Sequence, residues 1–150
     1  MEVFQALQSL PLAALVRGST WAYAGVNAAH IFAISLLVGA ILPLNLRLLG
    51  FWPSVPLAGL TRILRPVAAA GLTLAILSGS LLFLTRAPDY VATPLFRLKL
   101  ALAAIGILNA LLHSLRPLDA LPPARQRFAG ALSLAVWPSV LACGRALGYL

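Results

Sequence analysis

Four long apolar runs dominate the pattern of hydrophobic and polar positions along this chain. They cover about 21–46, 66–84, 96–115 and 128–147, and the breakers FWPSVP, RAPDY with ATP, and RPLDALPP separate them. A helix needs about 20 apolar residues to cross the hydrocarbon core of a bilayer, whereas a membrane β-strand needs about ten residues of alternating character. The pattern therefore predicts four transmembrane helices.

The segment that precedes the first run is too short and too interrupted to span a bilayer. Pro11 breaks it, and it has no basic stretch ahead of an apolar core of the kind that marks a signal peptide. Residues 1–18 are predicted to form a short amphipathic helix at the membrane interface, with Trp21 and Tyr23 at the headgroup level. Its uneven apolar face consists of Phe4, Leu7, Leu10, Leu12 and Leu15.

The composition indicates that the bilayer is the solvent of this chain. Hydrophobic residues make up 61% of it and charged residues 9%, and its mean hydropathy is +0.97. A soluble domain of this size exposes too much surface to hide so much apolar area. Backbone groups in hydrocarbon must be satisfied internally. The predicted fold class is therefore all-α integral membrane: a single domain over 1–150, forming a four-helix bundle preceded by the interfacial helix.

The net charge of +8 does not indicate a nucleic-acid partner. The basic residues are dispersed at the ends of the apolar runs, without a basic cluster or an aromatic platform. The connections after the first and third runs carry six of the basic residues, and the opposite side carries five. By the positive-inside rule, this difference favours both termini on the periplasmic side of a bacterial inner membrane.

Helical spacing places the polar groups of the third run on one stripe. At 100° per residue, Lys99, His113 and three small residues fall within about 80° of one another. The small residues lie between Lys99 and His113 on this stripe, which allows another helix or a flat ligand to approach closely. The stripe is expected to face the bundle interior, and the leucine-rich opposite arc is expected to face lipid. The small residues are Ala103, Gly106 and Ala110, and the leucines are Leu98, Leu100, Leu108 and Leu115.

Small residues also form a stripe on the second run. Gly71, Ala75 and Gly79 stand at every fourth position with Ser78 beside them, which predicts close packing against another helix. The fourth run is expected to turn Gly130, Ser133 and Trp137 toward the bundle interior.

Polar side chains also share one face of the first run. Asn27 and Asn45 are five turns apart, and His30 lies about 60° from both. Asparagines in a span commonly hydrogen-bond a neighbouring helix, and Lys99 is close enough to the membrane edge to extend its ammonium to the headgroups. Ionisable groups inside a span are candidates for function by default. His30 and His113 are therefore the leading candidate site residues.

Haem is the cofactor that best suits two interior histidines. Imidazole binds haem iron, copper or zinc, but a bare metal ion normally needs three or four ligands. This chain offers two histidines and one cysteine, Cys143, which is expected to be a packing residue. Haem needs one or two axial ligands, and without a CxxCH sequence it would be non-covalent haem b. The predicted role is electron transfer or a related redox step; copper handling and a cofactor-free accessory role in a larger membrane complex are the alternatives.

The ligand set stays open at this point. If Trp21 and Lys99 are level in the membrane, His30 and His113 differ in depth by about 7 Å. One haem held by both histidines, a pairing of His30 with Lys99, one ligand per haem, and ligation across a homo-oligomer are the alternatives. His30 ranks above His113 because it lies deeper, where an unpaired imidazole has no water to bond, whereas His113 lies three residues from Arg116.

Three segments carry a family resemblance over nearly the whole chain. The runs NAAHIFAISLLVGAILPLNLRLLGF, GLTLAILSGSLLFL and DYVATPLFRLKLALAAIGILNALL resemble an uncharacterised family of bacterial four-helix membrane proteins of unknown function. Acidic residues often stand in that family where this chain has Asn27 and Asn45. The resemblance therefore does not extend to a proton-transfer role for carboxylates.

A more distant similarity concerns the order of a first-span histidine, a glycine, and a lysine that opens the third span. This order is similar to HemJ-type protoporphyrinogen oxidases and to CopD-type copper-resistance proteins. The first resemblance implies haem b held by His30 and Lys99, and the second implies metal handling. His113 has no secure counterpart in either group. The oxidase activity itself is not implied, because the rest of that pattern is not evident in this chain.

Overall fold

The computed structural model describes residues 6–114 and 117–149, and these residues form helices and connections without a strand. The order is α1 (Pro11–Gly18), α2 (Thr20–Leu48), α3 (Leu57–Thr85), α4 (Ala87–Ala92), α5 (Pro94–Ser114), a 3-10 turn (Leu118–Ala120) and α6 (Pro123–Leu147). Helices α2, α3, α5 and α6 are long and apolar enough to cross a membrane. The predicted all-α, four-span fold class is confirmed.

Helix α3 differs most from the predicted bounds. It begins at Leu57 rather than at residue 66, and Pro66 lies inside it. Residues 66–85 carry no charge and are about 30 Å long, which matches the hydrocarbon core. The first two turns of α3 therefore extend past the core and place Arg62 and Arg65 at the headgroup region. Hydropathy detects the apolar part of a helix, and the polar part of α3 falls outside that signal.

The other bounds differ by a few residues. Helix α6 begins at Pro123, ahead of the expected 128, and α2 extends to Leu48. Residue 115, the expected end of the third span, and residues 1–5 of the expected interfacial helix lie outside the described residues. In the described part of that segment, residues 6–8 are helical, the chain turns at Ser9 and Leu10, and α1 begins at Pro11, so the segment is not one continuous helix.

Helix α1 lies across the ends of α2 and α3. On the face of α1 that contacts these helices, Ala13 and Val16 are buried. On its other face, Leu12 and Leu15 are 54% and 66% exposed. The amide nitrogen of Gln8 donates a hydrogen bond to the carbonyl of Thr85 (3.1 Å). With one face docked and an apolar face outward, α1 has the form of a helix lying at a membrane interface.

The four long helices form two antiparallel pairs, α2 with α3 and α5 with α6, which meet where α2 packs on α6. Helices α3 and α5 are the outer members of the row and do not pack along their lengths. At one end the ring of Phe83 stacks on that of Phe96 (5.5 Å between centroids), and at the other Nη2 of Arg65 donates to the carbonyl of His113 (2.6 Å). These bridges are about 27 Å apart along α3. We call the gap between them the α3–α5 window.

Small residues bring α2 into close contact with its two neighbours. A Cβ added at Gly71 of α3 would lie 2.6 Å from the backbone nitrogen of Leu37 and 2.9 Å from the carbonyl oxygen of Ala33. A Cβ added at Gly130 of α6 would lie 3.0 Å from the carbonyl oxygen of Asn45. Both glycines therefore allow backbones to touch, as the small-residue stripes predict.

Two buried asparagines hydrogen-bond α6, as expected for polar groups within a bundle. The amide nitrogen of Asn45 donates to the hydroxyl oxygen of Ser133 (2.8 Å), and that of Asn109 donates to the carbonyl of Ala129 (3.2 Å). Asn27 differs, because its side chain is exposed at the rim of a cavity described below. Of the two asparagines of the first run, Asn45 is thus the one that joins helices.

Ser133→Ala is expected to destabilise the bundle by about 1 kcal/mol, because it leaves the buried amide of Asn45 without its acceptor. The measurement is the free energy of unfolding in mixed micelles, with a double-mutant cycle that includes Asn45→Ala. Ser139→Ala is the matched control, since that hydroxyl bonds the carbonyl of Ala135 within its own helix. Additive effects of the Asn45 and Ser133 changes would show that the bond contributes nothing.

Candidate functional site

His30 lies about 15 Å from the start of α2 and is half-buried against α3. Its Nδ1 is 2.9 Å from the hydroxyl oxygen of Ser78, which in turn donates to the carbonyl of Leu74 (2.6 Å). A hydroxyl has one proton, so Ser78 accepts from His30 and Nδ1 carries the ring proton. The neutral imidazole then presents the lone pair of Nε2. Ligand histidines in metal sites are held in one tautomer in this way.

Gly79 allows the imidazole to lie against the backbone of α3. A Cβ added there would come within 3.0 Å of Cε1 of His30, closer than ordinary van der Waals contact. Gly79 follows Ser78, so consecutive residues of α3 fix the ring: one through a hydrogen bond and one through the absence of a side chain. This part of the site rests on the small-residue stripe of the second run.

Lys99 reaches the same region from α5. Its side chain is half-buried and crosses to α6, where a Cβ added at Gly144 would lie 3.4 Å from Nζ and 3.5 Å from Cε. The ammonium therefore turns toward the neighbouring helix, which favours the inward alternative for this lysine. Gly144 accommodates Lys99 much as Gly79 accommodates His30.

His30 and Lys99 line two adjoining spaces. The inner cavity, of about 330 Å³, has walls that are largely apolar and that include Ala75 and Ala103. The outer chamber, of about 610 Å³, lies toward the end of the bundle where the chain enters α2. Cofactor sites commonly measure about 300–1,000 Å³. Polar groups at the outer chamber come from Tyr23, Asn27, Ser35, Tyr90 and Arg145.

An aromatic cluster forms one wall of the outer chamber. The ring of Tyr90 in α4 lies 5.3 Å from that of Phe96 and 6.4 Å from that of Phe83. Burial raises the pKa of the Tyr90 phenol, and the nearby Tyr23 raises it further by a smaller amount. The phenol therefore stays neutral. On the facing side, the guanidinium of Arg145 lies 4.5 Å from the centre of the Tyr149 ring. The chamber thus combines aromatic faces with one exposed cation, and the inner cavity is more apolar.

His113 occupies a different place. Its Nδ1 is 2.7 Å from the carbonyl oxygen of Asn109, and it lines a second cavity of about 310 Å³ together with Asn45 and Arg65. Lys99 and His113 are about 21 Å apart along α5. The difference of about 7 Å in depth between the two histidines was calculated on the assumption that Lys99 is level with Trp21. In the structure, Lys99 is level with His30 instead. The structure brings His30 and Lys99 together and keeps His113 apart from both.

Sequence reasoning identified His30 and Lys99 but missed their partners. Ser78 and Gly79 were assigned to helix packing, and Gly144 was not singled out. The spacing of small residues along α3 was the feature of the sequence that could have identified Gly79. A glycine in such a stripe leaves room for a side chain from the facing helix as well as for close packing of the backbones. Among the residues that the structure describes, His, Cys, Asp and Glu form no group of three or more that could hold a metal ion.

Comparison of the chain with protein-family models, curated proteins and solved structures gives no match.

Proposed function

We propose that this protein binds haem b through His30 and takes part in electron transfer or a related redox step in a bacterial inner membrane. The observation that supports this is the pair of hydrogen bonds at Ser78, whose hydroxyl oxygen is 2.9 Å from Nδ1 of His30 and which donates to the carbonyl of Leu74. We infer from them that Nδ1 carries the ring proton, which leaves the lone pair of Nε2 for a ligand. An imidazole fixed in this way beside a largely apolar cavity is what a haem protein needs for an axial ligand.

The residues around His30 fit a porphyrin better than a bare ion. A porphyrin supplies four nitrogens, so one or two protein ligands suffice, and Lys99 is the second candidate ligand because it lines the same two spaces. Ala75, Gly79 and Ala103 contribute small side chains to the inner cavity, where a flat macrocycle needs room. The polar outer chamber suits the carboxylate edge of such a molecule.

Haem, when bound, supplies one-electron chemistry, and the residues of the chain control its surroundings. His30 would hold the iron and fix its position relative to α3. The apolar walls of the inner cavity would exclude water, which strengthens every electrostatic interaction inside. The ammonium of Lys99, where it does not ligate, would favour the reduced form of the group, because it repels the more positive oxidised form.

The full-length protein, purified from haem-replete cells, is expected to show a Soret band, with α and β bands on reduction and about one haem per chain. Optical spectra and metal analysis of the same sample distinguish the alternatives. Copper without a Soret band would support metal handling of the CopD kind. A folded protein that contains neither and does not bind added haemin would support a cofactor-free accessory role, and the proposal would be abandoned.

A further inference from the structure

The second cavity lies in the α3–α5 window, at the end of the bundle opposite to the outer chamber. Its walls are largely apolar, and Arg65 stands at its edge. Arg65 also borders a surface cavity of about 380 Å³, which Arg62 and Asp119 line as well. One arginine therefore joins an apolar space inside the window to a charged space at the rim of the bundle.

This cavity opens sideways, toward the surroundings of the bundle. Its walls include Ala69 of α3 and Leu111 of α5, and Leu111 is 59% exposed. Helices α3 and α5 do not close over it, because they do not pack along their lengths. In a bilayer, an apolar space that opens into hydrocarbon is bordered by acyl chains and not by water. An acyl chain is therefore the molecule present at the highest concentration next to this cavity.

The position of Arg65 decides which kind of lipid fits. It immediately precedes the uncharged residues 66–85, so it lies where the hydrocarbon core meets the headgroups. Its Nη2 donates to the carbonyl of His113, which leaves other donors of the guanidinium for a second partner. Arg62 is one turn away on the same rim, and guanidinium groups bind phosphate oxygens through paired hydrogen bonds.

We propose that the α3–α5 window is a binding site for an anionic phospholipid, with its phosphate at Arg62 and Arg65 and one acyl chain in the second cavity beside Trp137. The charges favour this class of lipid. Two guanidinium groups face one carboxylate, that of Asp119, so the rim is net positive. A glycerol headgroup leaves the phosphate charge uncompensated, whereas a choline headgroup adds a cation that the rim repels. This inference is independent of the haem proposal.

Trp137 provides the measurement, because its buried indole lines the second cavity. The indole also lines the inner cavity, where bound haem would quench it, so protein prepared without haem is used for the fluorescence. The other two tryptophans, Trp21 and Trp52, are 87% and 52% exposed and are replaced by Phe. The full-length single-tryptophan protein is placed in phosphatidylcholine nanodiscs that contain increasing fractions of brominated phosphatidylglycerol or brominated phosphatidylcholine. Bromine quenches tryptophan fluorescence at short range. We expect phosphatidylglycerol to reach half-maximal quenching at about a fivefold lower fraction, since one arginine near the surface contributes about fivefold to the binding of an anionic lipid.

Arg65→Gln is expected to remove most of this preference, and Arg65→Lys is expected to retain part of it. Arg125→Gln is the matched control: Arg125 is an exposed arginine of α6 at the same end of the bundle and does not line either cavity. Arg62→Gln, which leaves the contact between Arg65 and His113 in place, is the second variant in case Arg65→Gln does not fold. It is expected to weaken the preference in the same direction.

Three results would overturn the proposal. Equal quenching by the two brominated lipids would show that the window takes acyl chains without selecting a headgroup. An unchanged preference in Arg62→Gln and in folded Arg65→Gln would show that the charge at this rim plays no part. Displacement of the brominated lipid by soluble glycerol phosphate at millimolar concentration would show that the site binds a free anion and that the acyl chain contributes nothing. Haem content is measured in parallel and is expected to be unchanged in all of these variants.

Discussion

His30→Ala is expected to yield protein that retains no haem after purification, with loss of the Soret band. The imidazole lines the inner cavity, and its orientation is fixed by the hydrogen bond that Nδ1 donates to Ser78 of the neighbouring helix. Removing it would take away the proposed ligand of the iron and would leave an apolar space in which a porphyrin has no directional contact with α2. The measurement is the optical spectrum and haem content per chain, with circular dichroism as the check that the bundle is intact.

Two further samples make this result specific. His113→Ala is the matched control, because that histidine lines a different cavity about 21 Å away along α5, and its haem content is expected to match the unchanged protein. Imidazole added to haem-reconstituted His30→Ala is expected to restore the original band positions, since it fits the space that the side chain vacates. A full haem complement in His30→Ala, together with its loss in His113→Ala, would reverse the ranking of the two ligands.

The variant Lys99→Met tests whether Lys99 is a haem ligand or a neighbouring charge. If it is the second axial ligand, Lys99→Met changes the ligand type and shifts the spectrum, while haem remains bound through His30. If it acts as a neighbouring charge, Lys99→Met leaves the band positions unchanged and lowers the reduction potential. Haem retained by both histidine variants and lost by Lys99→Met would make Lys99 the principal ligand.

The sequence predicted the number and type of the long helices because a bilayer constrains every segment that crosses it. Such a segment needs about 20 apolar residues and must satisfy its backbone hydrogen bonds internally. It also predicted that Leu98, Leu100 and Leu108 of the third run are exposed, at between 50% and 57%. The interior stripe of that run was predicted only in part, because Ala110 is exposed beside the second cavity. It did not predict that Lys99 lies level with His30. Helical periodicity gives the direction of a side chain around its axis, whereas its depth depends on the connections, and here the short helix α4 stands between α3 and α5.

The α3–α5 window was not predictable from any single run. Short connections account for the hairpin pairs α2 with α3 and α5 with α6. Whether the two pairs then meet through α2 and α6 or through α3 and α5 depends on contacts between residues far apart in the chain. Gly130 against the backbone of Asn45, and Asn45 with Ser133, favour α2 and α6. Apolar composition alone does not distinguish the two arrangements.

Gly71→Ala is expected to be among the most destabilising single-methyl changes in this bundle, at about 1–3 kcal/mol. Its Cβ would lie 2.6 Å from the backbone nitrogen of Leu37, and a backbone atom cannot rotate aside as a side chain can. Helices α2 and α3 must therefore move apart, although alanine is the better helix former by about 1 kcal/mol. The measurement is the free energy of unfolding in mixed micelles, with Gly39→Ala as the matched control.

The control separates crowding from propensity, because a Cβ added at Gly39 of α2 would meet nothing within 4 Å. Gly39→Ala is expected to be neutral or slightly stabilising, and Gly130→Ala is expected to fall between the two, since its closest contact would be 3.0 Å. Separation of α2 from α3 also strains the bond between His30 and Ser78, two turns along the same interface. Gly71→Ala is therefore expected to lower haem affinity as well as stability. Equal stability of the Gly71 and Gly39 variants would contradict the close backbone contact on which the position of His30 depends.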